Sequence, residues 1–166
     1  MRLGIFSGPA GKLFNVEEAT EDARAAQAAG FPSYWLPQMP MGVDALTALS
    51  HIGASVPDIE LGTAIVPTFP RHPMALAGQA LTAANSLGGR FTLGIGLSHE
   101  PMMAQLGIAF DRPIRHLREY LNVLMPLPGG GEGVGVDVGL LRRLRLRLWV
   151  AASSCMCTRT FARTSA

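Results

Sequence analysis

Leu61–Pro73 (LGTAIVPTFPRHP) decides the fold class of this chain, together with Gly89–His99 (GRFTLGIGLSH), which follows one helix later. The first stretch overlaps the apolar run Ile59–Val66, and the second contains the apolar run Phe91–Leu97. Each run is apolar enough to be buried on both faces. Strands of that kind are typical of parallel sheets that helices cover on their faces. Both runs end in small or polar residues, and the carboxyl ends of parallel strands are where such folds bind ligands.

The same strand–helix unit recurs on either side of these stretches, roughly every 30 residues. The predicted strands are Arg2–Ser7, Ser33–Leu36, Ile59–Val66 and Phe91–Leu97, and the predicted helices are Val16–Ala29, Asp44 to about Ser55, Met74–Leu87 and Asp111 to about Leu124. Asn15 stands three residues before Glu18, which is the spacing of a capping box. This alternation excludes all-α and all-β folds and predicts parallel crossovers. Spacing alone fits either a small doubly wound sheet or half of a TIM barrel.

The composition is that of a globular protein with a core, since 48% of the 166 residues are hydrophobic and 16% are charged. No run of about 18 apolar residues and no signal-peptide pattern occurs, so we expect a cytoplasmic protein without a membrane partner. Cys155 and Cys157 are too close together for an ordinary disulfide and lack the further ligands that zinc needs. No metal site is predicted.

The net charge of +2 hides two different regions. Residues 1–127 carry eight Arg and Lys against ten Asp and Glu, whereas residues 128–166 carry six Arg against two acids. In the second region Gly129–Val136 alternates glycine with valine, and Leu140–Leu148 alternates arginine with leucine. We therefore predict a domain over residues 1–127 and an unrelated, irregular and disordered Gly/Arg-rich tail over 128–166, typical of a GC-rich reading frame translated out of phase. Within the tail, Leu144–Val150 has the pattern of one strand with a cationic face.

The two stretches that decide the fold class closely resemble strands three and four of the luciferase-like monooxygenase superfamily, particularly its deazaflavin-dependent oxidoreductase branch. Trp35–Gln38 and Arg112–Leu121 also resemble that branch, and the likeness covers about residues 1–127. Members of the family are TIM barrels. The resemblance therefore implies an α/β fold that is a partial TIM (β/α)8 barrel of about four βα units, followed by the irregular tail.

The resemblance also implies a cofactor at the carboxyl ends of the strands, either the deazaflavin coenzyme F420 or FMN. In several members a cis peptide between two non-proline residues lies behind the flavin ring, and the matching bond is Ala64–Ile65; a plain trans bond is the alternative. Cofactor-binding roles are expected for Ala64 and Ile65, and further for Gln38, Thr68, Ser98 and His99. Gln38-Met39 stand where some sugar-phosphate relatives have an Asp-His pair, so the substrate of those relatives does not carry over.

His99 is the candidate catalytic residue, as a proton donor or acceptor during hydride transfer to or from a small-molecule substrate. A structural hydrogen-bonding role is the alternative for His99, and Arg71 and His72 are expected to cap loops rather than bind a ligand. Four strands do not close a barrel and lack the phosphate-binding loops after strands seven and eight, so no turnover is expected from this chain by itself.

Two other interpretations remain open. One is a small α/β binding module whose basic tail contacts an acidic partner, although nucleic acid is not an expected partner. The other is a homo-oligomer in which two half barrels pair, which light scattering would test.

Overall fold

Six strands and five helices alternate along the residues that the computed structural model describes, which are 3–7, 15–125 and 147–151. The strands are β1 (Ile5–Phe6), β2 (Ser33–Leu36), β3 (Glu60–Thr63), β4 (Val66–Pro67), β5 (Phe91–Gly96) and β6 (Arg147–Ala151). The helices are α1 (Val16–Ala28), α2 (Ala45–Ser55), α3 (Pro73–Ser86), α4 (Glu100–Gln105) and α5 (Pro113–Leu124). The predicted alternation of strands and helices is confirmed.

All strands lie in one parallel sheet, in the order in which the chain visits them. β1 pairs with β2 and β2 with β3, while β3 and β4 occupy one strand position and both pair with β5. A doubly wound sheet reverses its strand order part-way, whereas a barrel adds each strand beside the one before it. The progression from β1 to β6 contains no reversal, so the architecture is that of a partial TIM barrel, as predicted.

Strand β6 overlaps the strand pattern noted over Leu144–Val150, and it corrects the prediction of an irregular tail for the five residues that it contains. It pairs in parallel with β5, in register from Thr92 opposite Arg147 to Gly96 opposite Ala151. The edge of β5 offers unpaired backbone donors and acceptors, which an extended segment can satisfy. The outer edge of β5 is therefore covered by β6. The rest of residues 128–166 lies outside the described residues, and its boundary at residue 127 stays a prediction.

Side chains cap three helices at the edge of the sheet where the strands end. Asn15 Oδ1 accepts a hydrogen bond from Glu18 N at 2.7 Å, which confirms the predicted cap of α1. Asp44 Oδ1 accepts from Thr47 N at 2.9 Å at the start of α2. His72 Nδ1 accepts from Met74 N at 3.2 Å, with proline at the first turn of α3.

The core lies between the sheet and the helices. Five of the six β5 residues are buried, and Leu61, Leu93 and Ile95 are fully buried, as expected for strands covered on both faces. On the sheet, the Trp35 ring lies over Gly62. A Cβ atom at this glycine would stand 2.4 Å from Trp35 Cζ3 and 3.1 Å from the Thr92 carbonyl oxygen, so this approach requires glycine.

Arg90 links α2 to the sheet at the end where the strands begin, opposite their carboxyl ends. Its guanidinium donates to the carbonyl oxygens of Ile59 at 2.9 Å and of Gly53, in the last turn of α2, at 3.1 Å. Carbonyls at a helix end have no partner within the helix. Arg90→Met should therefore lower the free energy of unfolding by about 2 kcal/mol in urea titrations. Arg24→Met, on the exposed side of α1, should change it by less than about 0.5 kcal/mol, and equal losses for both variants would contradict the capping role.

Candidate functional site

Backbone hydrogen bonds join the ends of three neighbouring strand positions at one edge of the sheet. Ala64 N donates to Leu36 O at 3.0 Å, and Gln38 N donates to Ile65 O at 3.1 Å. Thr68 N donates to Gly96 O at 2.9 Å. The structure thus brings together four of the residues predicted from the sequence, and the other two, Ser98 and His99, follow Gly96 after one residue along the chain.

A one-residue bulge separates β3 from β4. Gly62 pairs with Thr92, but Val66 pairs with Ile95, so three residues of this strand position stand opposite two residues of β5. Ala64 and Ile65 lie in the bulge and are half-buried, while Thr63 and Val66 on either side are fully buried. The Ala64–Ile65 peptide bond is cis, which confirms the bond that the resemblance implied.

The Thr63 hydroxyl replaces the strand partner that the bulge takes away from Gly94. Thr63 Oγ1 accepts from Gly94 N at 2.7 Å and donates to Gly94 O at 2.8 Å. Because Thr63 is fully buried, no water is available to these two backbone groups. The sequence pattern assigned Thr63 no role; the available signal was a hydroxyl within a strand that is otherwise apolar and buried.

The side-chain amide of Gln38 forms hydrogen bonds with the loop that leads into α2. Gln38 Oε1 accepts from Ala45 N at 2.8 Å, and Nε2 donates to Met39 O at 3.0 Å and to Val43 O at 3.5 Å. A ligand that used this amide would have to displace these bonds. Gln38 therefore lies at the predicted edge with its side chain engaged in shaping the loop.

Thr68 directs its hydroxyl to α5. Thr68 Oγ1 and His116 Nε2 are 3.1 Å apart, and the threonine is 1% exposed. The His116 ring stacks on Phe69, with centroids 3.9 Å apart and an interplanar angle of 10°. Burial lowers the pKa of His116 below its ordinary value, although the Glu119 charge and a hydrogen bond to Thr68 oppose this shift. His116 lies within the Arg112–Leu121 stretch, but the sequence pattern assigned it no role.

Ser98 and His99 connect β5 to α4. Ser98 has a φ of 66°, a left-handed conformation that is uncommon for a residue other than glycine and that occurs repeatedly at functional sites. Its hydroxyl donates to Met102 Sδ at 3.7 Å. His99 is exposed, and its ring makes no hydrogen bond within the described part of the chain. The imidazole is therefore available to a ligand at this edge.

Arg71 and Asp44 link the segment after β4 to α2. Arg71 Nη2 lies 2.6 Å from Asp44 Oδ2, and Arg71 Nη1 donates to Gln79 Oε1 at 3.1 Å. Burial raises the pKa of Asp44, but hydrogen bonds from Thr47 and Arg71, with the Arg71 charge, outweigh burial and lower it. Together with the cap that His72 forms on α3, these contacts agree with the expected structural roles of Arg71 and His72.

Residues 3–7, 15–125 and 147–151 contain neither a metal-binding cluster nor a membrane-spanning helix. Within these ranges no group of histidine, cysteine, aspartate or glutamate side chains is arranged to hold a metal ion. No helix there has the length and apolar character needed to cross a membrane. Cys155 and Cys157 lie outside the described residues.

Comparison with known proteins relates both the sequence and the fold to one family. The family model described as luciferase-like monooxygenase matches residues 1–156, which extends past the boundary predicted at residue 127. A Mycobacterium tuberculosis protein named as a coenzyme F420-dependent oxidoreductase is 34% identical over 125 residues, which are 75% of this chain and 35% of that protein.

Two solved structures share the fold at low sequence identity. The coenzyme F420-dependent tetrahydromethanopterin reductase of Methanopyrus kandleri has a TM-score of 0.67 and 20% identity, over 88% of this chain and 44% of that one. The oxygenating constituent of 3,6-diketocamphane monooxygenase from Pseudomonas putida, in complex with FMN, has a TM-score of 0.67 and 18% identity, over 81% and 42%. The chain thus spans less than half the length of each of these three proteins.

Proposed function

The chain belongs to the luciferase-like monooxygenase family, and we propose that it supplies the cofactor-facing part of an oxidoreductase that uses coenzyme F420, with FMN as the alternative. The observation that carries the proposal is the bulge at Ala64–Ile65, at the sheet edge where β2, β3 and β5 end. Bulges occur repeatedly beside active sites, where they redirect a strand. The F420-dependent and FMN-bound relatives support the choice of cofactor.

The residues at this edge fit a flat, largely apolar ring system. Ala64 and Ile65 present half-buried apolar groups, and Gly94 and Gly96 on the neighbouring strand add no side chains. A bound flavin or deazaflavin would supply the carbon that gives or takes the hydride. Ala64 and Ile65 would support the ring, and the Ser98 hydroxyl would turn from Met102 Sδ to donate a hydrogen bond to it.

His99 is the proposed proton carrier. A histidine side chain can accept or donate a proton, and this ring is exposed and has no hydrogen bond within the described residues. His99 would hold the proton that balances hydride transfer to or from a small-molecule substrate. In a full-length family member with a histidine at this position, replacement by alanine should slow hydride transfer by about 10²-fold or more. An unchanged rate would leave His99 with a structural role.

The chain by itself should bind cofactor weakly and should not turn over substrate. TIM barrels usually hold phosphate groups with the loops after strands seven and eight, and the six strands described here make five strand positions. This chain spans 35% to 44% of the lengths of the three relatives named above. Robust cofactor-dependent reduction by the purified chain would contradict this part of the proposal.

Cofactor binding tests the site directly. Fluorescence polarisation of coenzyme F420 or FMN should rise when purified chain is added. Ala64→Trp fills the bulge surface and should weaken the affinity at least about tenfold. Ala28→Trp makes the same change on the exposed side of α1 and should leave the affinity unchanged. If a folded chain bound neither cofactor, as judged by circular dichroism, the proposal would be wrong.

A further inference from the structure

His116 on α5 is held against the segment that leaves β4, and we propose that it is a positioning residue for the cofactor-facing edge, a role that rests on the proposed function. Two successive residues of the segment contact the same imidazole. Thr68 Oγ1 lies 3.1 Å from His116 Nε2, and the Phe69 ring stacks on the imidazole at 3.9 Å. The imidazole therefore restrains this segment through one hydrogen bond and one ring contact.

The contact continues from the helix layer into the sheet. Thr68, whose hydroxyl bonds His116, also donates its backbone N–H to Gly96 O at 2.9 Å. Gly96 is followed after one residue by Ser98 and His99, the residues proposed to face the cofactor and substrate. A continuous path of two hydrogen bonds thus links α5 to the strand that presents the proposed proton carrier.

Contacts on both sides hold the segment in place. Phe110 packs against Phe69 with ring centroids 4.9 Å apart, and Tyr120 lies 5.7 Å from the His116 ring. At the other end of the segment, Arg71 forms its 2.6 Å ion pair with Asp44 at the start of α2. Residues 68–71 are therefore held by α5 at one end and by α2 at the other.

The hydrogen bond between His116 and Thr68 distinguishes a positioning role from simple ring packing. A phenylalanine at position 116 would also stack on Phe69, but it would leave the buried Thr68 hydroxyl without this partner. Burial lowers the pKa of His116, which favours the neutral form of the ring within the aromatic cluster. The neutral imidazole thus combines stacking with a directional hydrogen bond.

Two variants separate the hydrogen bond from the stacking. His116→Phe keeps an aromatic ring, and His116→Gln restores a hydrogen-bonding group without the ring. His116→Phe should weaken coenzyme F420 or FMN binding about tenfold, the size expected for one lost hydrogen bond, and His116→Gln should recover part of the affinity. Thr68→Val combined with His116→Phe should be no weaker than either change alone, because both remove the same bond.

Arg118→Gln on the exposed side of α5 is the matched control and should leave the affinity within about twofold. Affinities of wild type and His116→Phe that agree within about twofold would overturn the positioning role, as would a double variant whose losses simply add. Equal weakening by Arg118→Gln would also overturn it, since the effect would then belong to α5 as a whole.

Hydrogen exchange provides a readout that needs no cofactor. In His116→Phe, backbone amides of residues 66–71 and 94–99 should exchange at least about tenfold faster, with α1 and β1 unchanged; a merely structural loss would accelerate exchange throughout. If the wild-type chain binds neither cofactor, the proposed function fails, while this local exchange still decides whether His116 holds the segment. Unchanged exchange in both segments would overturn the inference.

Discussion

Thr63→Val should lower the free energy of unfolding by about 3–4 kcal/mol, because it removes both hydrogen bonds to Gly94 and leaves a buried N–H and a buried C=O without partners. Valine has nearly the same shape as threonine, so packing changes little. Urea titration followed by circular dichroism measures the loss. Thr63→Ser keeps the hydroxyl and should cost only about 1 kcal/mol, for the lost methyl group.

The matched control lies on α3. Thr82 also uses its hydroxyl, to Gly78 O at 2.9 Å, but it is exposed, so water can replace the bond. Thr82→Val should change stability by less than about 0.5 kcal/mol. Similar losses for Thr63→Val and Thr82→Val would show that Gly94 finds other partners and that the hydroxyl does not fix the bulge.

Thr63→Val should also affect the proposed cofactor site. Thr63 directly precedes Ala64–Ile65, and its two bonds fix the offset in register between β3 and β4 along β5. Without them the bulge has fewer restraints, so we expect Thr63→Val to weaken cofactor binding while Thr63→Ser keeps it. If a folded Thr63→Val chain bound the cofactor as tightly as wild type, the Thr63 hydrogen bonds would stabilise the bulge without being needed for binding.

Local pattern was sufficient to predict most of the fold. The capping spacing from Asn15 to Glu18 located the start of α1, and the prolines and glycines around the apolar runs bounded the strands and helices. The run Ile59–Val66, however, was expected to be one strand and is interrupted between Thr63 and Val66. That interruption depends on pairing with β5, about 30 residues away, and no local pattern encodes it.

The positions of the candidate residues in the fold were predicted more accurately than the partners of their side chains. Gln38 and Thr68 lie at the expected edge, yet their side chains bond Ala45 N and the His116 ring. His116 is 48 residues from Thr68 along the chain, so only the fold reveals the contact. The tail shows the same limit, because the strand pattern noted over Leu144–Val150 overlaps β6, but only the fold shows that β6 pairs with β5.

Alkaline pH should unfold the chain as its two tyrosines ionise. Tyr34 is fully buried and Tyr120 is 4% exposed, and neither hydroxyl has a hydrogen bond of good geometry within the described residues. Burial is the main cause that raises both pKa values to about 12. The Asp22 charge raises that of Tyr34 further while the neighbouring Ser7 hydroxyl opposes it, and the Arg71 charge opposes the shift of Tyr120.

The sign of the effect follows from the direction of the shift. In the unfolded chain both phenols titrate near the ordinary value of 10.0, below their folded pKa of about 12. The stabilising contribution is therefore complete below pH 10 and is lost as pH rises toward 12. A shift of one pKa unit corresponds to about 1.4 kcal/mol, so the two phenols together remove up to about 5 kcal/mol. That loss is comparable with the whole stability of many domains.

Phenolate absorbance and circular dichroism, recorded together between about pH 10 and 12, show whether the tyrosines ionise as the chain unfolds. The chain has two tyrosines, so we expect little phenolate near pH 10, followed by one cooperative rise that coincides with loss of the helical signal. Tyr34→Phe and Tyr120→Phe should each halve the phenolate signal and move unfolding to higher pH. Phenolate that formed near pH 10 with the helices intact would show that both hydroxyls reach water, and the buried environment described for them would be wrong.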